Sequence, residues 1–280
     1  MSLPPGATDV RRIGGGDINE AFRVVLADGT EAFVKTRAGA SPGEYAAEAA
    51  GLRWLAEPDA VRTPGVLAIG DDYLALEWVE HGRLDAGGAS ELGRGLARTH
   101  LAGAPDFGEF RGSGAGAESG FGSLRLPNDP AEDWPTFYGE RRLLPLARLA
   151  RERGALTSAG VGAVERVSAR LGDLVGPAEP PSRLHGDLWQ GNVMGDAEGR
   201  PWLIDPSAYG GHREIDLAML RLFGAPGGGV FEAYAEVAPL ADGWEDRVGL
   251  YQLLPLLVHA LLFGGSYRGS AEQMARRYAG

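Results

Sequence analysis

HGDLWQGNV (His185–Val193), followed by PWLIDPS (Pro201–Ser207), decides how this chain is read. Asp187 and Asn192 stand five residues apart on an irregular stretch. Beyond Asn192 the turn-rich GDAEGR folds the chain back, so the segment reads as a β-hairpin whose ends, Asn192 and Asp205, meet. An amide oxygen and a carboxylate then share one point, with the Asp187 carboxylate close by. Hard oxygen ligands in this number suit Mg2+ shared with phosphates, because magnesium keeps waters and takes few protein ligands. Asp187 is left to orient an attacking hydroxyl and accept its proton.

Upstream, the signals are β. VRRI leads into GGGDIN (Gly14–Asn19), then AFRVVLA, the Asp28-Gly29 turn, and TEAFVK. Asp-Gly between two β-rich runs marks a hairpin. Its third strand ends at Lys35, beside the start of the second strand and next to the glycine loop. Lys35 is the only lysine among 27 basic residues. A chain that otherwise uses arginine keeps a compact ammonium at this one place. SPGEYAAEAAGLRWLA then reads as a helix, with Ser41 as N-cap, Pro42 at the first helical position and Glu44 completing a capping box. Glu44 and Glu48 share a face. Glu44 is occupied by the cap, which leaves Glu48 as the preferred partner for Lys35.

Glycine loop, strand lysine, helical glutamate, Asp-x4-Asn and hairpin Asp follow one another in the order of protein-kinase-like folds. The expected architecture is α+β and bilobal. A small β-rich N-terminal lobe (1–80) binds nucleotide, and a larger, mainly α C-terminal lobe (81–280) carries catalysis and the substrate. Pro206-Ser207 replace the Phe-Gly of protein kinases, and a helix begins within ten residues. Without a long activation segment there is no platform for a protein substrate, so a small-molecule acceptor is expected.

Bulk properties narrow the classes. The net charge of −11 and a pI near 5.0 argue against nucleic-acid or anionic-membrane partners. There is no cysteine, which removes disulfides, thiolate nucleophiles and Cys-ligated metals. The N-terminal residues have no apolar leader, and LLPLLVHALLF (Leu253–Phe263) is short and interrupted by Pro255 and His259, so a cytoplasmic protein is expected. Arg111–Ser123 is glycine-rich and reads as flexible or irregular; its Gly114-Ala-Gly116 lacks the strand and helix of a dinucleotide site. No Ser lies in a G-x-S-x-G elbow, and the histidines show no zinc spacing.

LHGDLWQGNV with DPSAYGGHREIDLAML closely resembles the fructosamine kinase (ketosamine-3-kinase) family, as do GGGDIN, DWPTFYGERRL (Asp133–Leu143) and YQLLPLLVHALLFGGSY (Tyr251–Tyr267). The resemblance spans nearly the whole chain. The HGD-x4-N part is shared with aminoglycoside, choline and homoserine kinases; the Trp after HGDL and the DP-x4-GH-x-E-x-DLA continuation are more specific. It implies ATP-dependent phosphorylation, with Mg2+, of the 3-hydroxyl of a ketosamine, a glycated amine whose 3-phosphate is unstable and eliminates to free the amine. By the same resemblance Lys35 and Glu48 hold the nucleotide phosphates, Asp187 is the base, and Asn192 and Asp205 bind Mg2+. Gly14, Gly15, Gly16, Asp17, Ile18 and Asn19 would cover the phosphates, and the backbone of Glu77, Trp78 and Val79 would form the adenine hinge. Trp189 would lie against the sugar and His259 would face the acceptor pocket; read alone, each also suits a core position. Asp216 would bind catalytic-loop amides, and His185 and His212 would be structural. Asp17 sits near where some relatives have a regulatory cysteine, and PLLV replaces the usual substrate-contacting residues before His259. Two other readings stay open: a kinase of an aminoglycoside or amino sugar, and a non-catalytic nucleotide-binding protein on the same fold.

Overall fold

The structure is a computed structural model that describes residues 3–14, 19–108, 110 and 118–280. Five strands, β1 (Thr8–Ile13), β2 (Glu20–Val25), β3 (Glu31–Thr36), β4 (Val66–Ile69) and β5 (Tyr73–Glu77), form an antiparallel sheet in the order β1-β2-β3-β5-β4. Helix α1 (Glu44–Ala56) packs on one face. Alternation along β3 sends Ala32 and Val34 into one hydrophobic cluster with Phe22 and Val24. The opposite parity sends Phe33 toward α1, where Tyr45, Ala49 and Leu52 meet Leu74 and Leu76. Lys35 shares the parity of Phe33, so its side chain is directed at α1.

The start of α1 differs from the sequence expectation. Gly43 adopts a left-handed conformation (φ 78°) and the helix begins at Glu44, so Ser41 does not cap it. A Pro-Gly pair ahead of the helix favours that turn over another helical one. Glu44 still accepts the Ser41 N–H at 3.2 Å, closing the turn instead.

A short strand, β6 (His81–Gly82), leads into α2 (Ala86–Leu101). The expectation of irregular chain over Arg111–Ser123 fails at its end. Strands β7 (Glu118–Phe121) and β8 (Leu124–Pro127) form a hairpin around the Gly122 turn, while 111–117, with Gly114 and Gly116, lie outside the described residues. Then come α3 (Trp134–Phe137), a π-helical turn (Tyr138–Leu143), α4 (Leu144–Glu152), α5 (Ser158–Ala169), α6 (Leu171–Leu174) and β9 (Ser182–Leu184). The expected catalytic hairpin is present: β10 (Val193–Asp196) pairs antiparallel with β11 (Pro201–Leu203), and β6 joins the other edge of β10. Strand β12 (Tyr209–Gly211) pairs with β9, and α7 (Glu214–Leu222), α8 (Val230–Val237), α9 (Trp244–Phe263) and α10 (Ser266–Tyr278) complete the chain.

Helix α9 runs unbroken through Pro255. Leu250, Leu253, Leu254, Leu256 and Leu257 are all buried, so packing on every side offsets the lost backbone bond. Among the described residues this is the one helix long and apolar enough to cross a membrane; 61% of its apolar stretch is buried inside the protein.

Arg142, on the π-helical turn, is wholly buried. Its guanidinium donates to Pro127 O (2.5 Å) and Asn128 Oδ1 (2.8 Å), and lies 4.5 Å and 4.4 Å from the rings of Phe137 and Tyr209. Carbonyl oxygens and π faces replace the usual carboxylate and fix the base of the β7–β8 hairpin to the helices. Arg142→Leu leaves those acceptors unsatisfied and should lower stability by about 3 kcal/mol. The urea midpoint measures this, and an unchanged midpoint would contradict the role.

Candidate active site

Lys35 sits where the two lobes meet. Its buried ammonium pairs with Glu48 from α1 and with Asp205 Oδ1 at 2.9 Å. Burial opposes its charge, but the carboxylates of Asp205 and Glu48 outweigh it and hold the pKa above the ordinary lysine value. Glu44 is engaged elsewhere: it accepts from Arg37 at 2.6 and 2.7 Å and from Arg125 of β8 at 2.8 Å. Burial pushes Glu48 up to about 7, with Lys35 pulling it down and Asp205 adding to the rise.

The loop carrying Asp187 is held through its backbone amides. Asp216, buried at the start of α7, accepts the N–H groups of His185 (2.8 Å) and Gly186 (2.9 Å), the role expected for it. His100 Nε2 contacts the same carboxylate at 3.2 Å, and its Nδ1 meets Tyr234 Oη at 2.9 Å. His185 Nε2 donates to Ile204 O at 2.9 Å, so its Nδ1 accepts the Asp187 N–H at 3.2 Å. Burial lowers the His185 pKa, consistent with this neutral tautomer. Gly186 has φ 82°, and a Cβ there would lie 2.1 Å from Ser207 O, so only glycine lets the segment after Asp205 come this close. His212 stacks on Tyr251 at 5.3 Å and is held neutral, burial lowering it to about 4.

On the hairpin, Asp196 accepts the backbone N–H groups of Glu198 (3.0 Å) and Arg200 (2.9 Å) and the Trp202 indole (2.9 Å), which closes the turn. Asn192 and Asp205 then lie side by side. Asn192 Nδ2 donates to Asp187 O (2.8 Å) and Oδ2 (3.2 Å), leaving its amide oxygen for another partner. Asp205 has φ 53°, an uncommon backbone state for a non-glycine residue and one that concentrates at functional positions. Its carboxyl is held below the ordinary value: burial opposes this, but the Lys35 charge and hydrogen bond prevail. Burial, and then repulsion from Asp205, push Asp187 up to about 7.

This donor set fits a divalent cation only in company. Lys35 occupies Asp205 Oδ1, leaving Oδ2 and the Asn192 amide oxygen. No group of three His, Cys, Asp or Glu that could hold a metal occurs among the described residues, so phosphate oxygens and water would have to complete the shell.

Two cavities meet at Asp187 and Asp205. One, of about 270 Å³, is lined by Lys35, Glu44, Glu48, Arg125 and Ser207; the other, of about 490 Å³, by Trp189, Phe223, His259, Phe263 and Tyr267. Asn19 lines both, and its Oδ1 accepts from Tyr45 Oη at 3.2 Å. Of the glycine-loop candidates, Gly14 is an open backbone position, whereas Gly15, Gly16, Asp17 and Ile18 lie outside the described residues. Glu77, Trp78 and Val79 line neither cavity. Glu77 closes β5, its N–H bonded to Gly65 O at 2.7 Å, and the Trp78 ring is covered by Arg23 at 4.4 Å. Trp189 and His259 both line the larger cavity, His259 with its Nδ1 bonded to Pro255 O at 2.7 Å.

Sequence reasoning missed several residues here. Phe121 and Gly122 wall the larger cavity, and Ser207 Oγ bonds Gly120 O at 2.5 Å, so the β7–β8 hairpin spans the junction. Phe223, Phe263 and Tyr267 were also missed. Phe263 lies four residues after His259 on α9, a spacing that could have flagged it.

A family model described as fructosamine kinase matches residues 4–279. The chloroplastic protein-ribulosamine 3-kinase of Arabidopsis thaliana is 34% identical over 97% of this chain and 82% of that protein. The crystal structure of a Thermobifida fusca protein described as a fructosamine-3-kinase shares 45% identity, covering 98% of this chain and 93% of that one, with a TM-score of 0.89. An aminoglycoside phosphotransferase crystallised with ADP and hygromycin B, 19% identical over 98% of this chain and 95% of that one, superposes with a TM-score of 0.62 and shares the bilobal kinase-like fold. The chain belongs to the fructosamine kinase family.

The raised Asp187 pKa has a consequence for stability. Its folded value exceeds the unfolded one, so ionising it between about 4 and 7 costs folding free energy as pH rises. Asp187→Asn should therefore raise Tm by a few degrees at pH 8, and the gain should fade toward pH 4. Calorimetry of both proteins at the two pH values checks this; a gain independent of pH would refute it.

Proposed function

We propose that this member of the fructosamine kinase family transfers the ATP γ-phosphoryl group to the 3-hydroxyl of a ketosamine. The observation that carries the reading is the convergence of Lys35, Glu48, Asp187, Asn192 and Asp205 where the two cavities meet. Residues 1–80 form the nucleotide lobe and 81–280 the catalytic and acceptor lobe. Lys35, fixed by Glu48, neutralises phosphate charge, and Gly14–Asn19 cover the phosphates. The backbone of Glu77, Trp78 and Val79 takes the adenine edge; with the Glu77 N–H committed to Gly65, Glu77 offers its carbonyl and the donors are the N–H groups of Trp78 and Val79. Asn192 and Asp205 would hold Mg2+, which supplies charge neutralisation on the β- and γ-phosphates. Asp187 orients the acceptor hydroxyl and takes its proton as the O3–P bond forms and the bond from Pγ to the ADP oxygen breaks. Most of the catalysis is positioning and charge stabilisation.

The 3-phosphate product eliminates and frees the amine, so the activity reverses glycation. The enzyme works where ATP is, in the cytoplasm. An aminoglycoside acceptor suits the site less well. Asp187 and Asp205 are the only carboxylates lining the larger cavity among the described residues, too few to hold a polycation.

An ATP-consumption assay with a fructosyl-amine beside an aminoglycoside tests the proposal. Phosphate should appear on the third sugar carbon. Asp187→Asn should lower kcat by at least about 100-fold while sparing ATP binding. Turnover on the aminoglycoside alone would overturn the acceptor, and near-normal Asp187→Asn turnover would overturn the mechanism. Since the active base is ionised, kcat/KM should fall tenfold per pH unit below about 7. A flat profile from pH 5 to 8 would exclude Asp187 as the titrating group. Lys35→Arg should lose most activity despite keeping the charge, because a planar fork cannot occupy the ammonium's place between Glu48 and Asp205. A fully active Lys35→Arg protein would deny the lysine its role.

A further inference from the structure

We propose that the preferred acceptor carries an uncharged, apolar group on its amine nitrogen, and that a negative charge beside that nitrogen disfavours a substrate. The inference rests on the ketosamine reading above and specifies the substrate class of the same site.

The hydroxyl to be phosphorylated must lie at Asp187, at the polar end of the 490 Å³ cavity with Asn192 and Asp205. The rest of the acceptor has one way to go, into walls made of rings from separate elements. Phe223 lies 4.9 Å from His259, His259 lies 4.9 Å from Tyr267 and 5.3 Å from Phe263, and Trp189 meets the Phe223 edge at 6.2 Å. Phe121 closes the side toward the β7–β8 hairpin. His259 adds no charge: burial lowers its pKa, and Nδ1 donates to Pro255 O. Among the described residues no arginine or lysine lines this cavity, and its only carboxylates stand at the phosphoryl end.

These rings are also held open to solvent. Trp189 is 41% and Phe263 55% exposed, so large apolar surface stands unburied at the site itself. A bound aryl or alkyl group would remove that surface from water. A carboxylate next to the nitrogen would be set against the aromatic faces, losing part of its hydration with no cationic partner among the described residues lining the cavity. The single secondary ammonium of a ketosamine is different, since the aromatic faces attract one cation without a counter-ion.

The test compares kcat/KM for the fructose adducts of benzylamine, methylamine and glycine, with ATP and Mg2+. The benzylamine adduct should exceed the methylamine adduct by about tenfold, and the glycine adduct should fall about tenfold below it. Phe263→Ala, at an exposed position whose truncation leaves the core intact, should bring the benzylamine-to-methylamine ratio toward one. Equal values for all three adducts, or a glycine adduct as good as the benzylamine one, would overturn the inference and leave ketosamine phosphorylation standing. No phosphate on any of the three would overturn the proposed function, and the inference with it.

Discussion

One ammonium group ties the parts of this molecule together. Lys35 stands next to the end of β3 in the N-terminal sheet, Glu48 comes from the helix packed on that sheet, and Asp205 lies 170 residues after Lys35, just past the β10–β11 hairpin. Each carboxylate alone would be costly here, and so would the ammonium; together they offset one another's lost hydration. The pairing works only if β3, α1 and the β10–β11 hairpin hold their relative positions. The ion triad therefore registers the lobes.

A second frame supports the first. Asp216 holds the amides of His185 and Gly186 and contacts His100, while His185 reaches across to Ile204, next to Asp205. Asp187 is thus set through the neighbouring His185 and Gly186, whose amides a buried carboxylate holds, and its side chain lines the cleft beside Asn192. Burial elsewhere is mostly apolar, with Arg142 and the Glu214–Arg247 pair as charged exceptions: one large cluster runs from Phe107 through Trp134 and Tyr251 to Ala279, and a second joins α2 with α7 and α8.

Most of the candidate site was legible in the sequence, because carboxylates, an amide and a single lysine in a fixed order have few structural explanations in common. The hairpin joining Asn192 to Asp205 was legible from its turn residues. The acceptor cavity was not. Phe223 and Tyr267 have the composition of any core, and only the convergence of α7, α9 and α10 shows that they face a void. The start of α1 misled because Ser-Pro-Gly-Glu matches a capping box, while the left-handed Gly43 decides the turn. Pro255 interrupts the apolar run in sequence, but α9 is buried around that position and the helix holds its course through it. The β7–β8 hairpin, hidden in glycine-rich sequence, is defined by contacts remote in the chain, through Arg125 to Glu44 and through Gly120 to Ser207.

The solitary lysine bears on the durability of the protein itself. A reducing sugar condenses with an amine that is unprotonated and within reach. The one side-chain amine in these 280 residues is buried and held as an ammonium between two carboxylates. Every other cation is a guanidinium, which stays protonated and is a poor nucleophile at neutral pH. A chain so composed offers sugars no side-chain amine to attack, so none of its side chains is among the groups that its proposed activity restores.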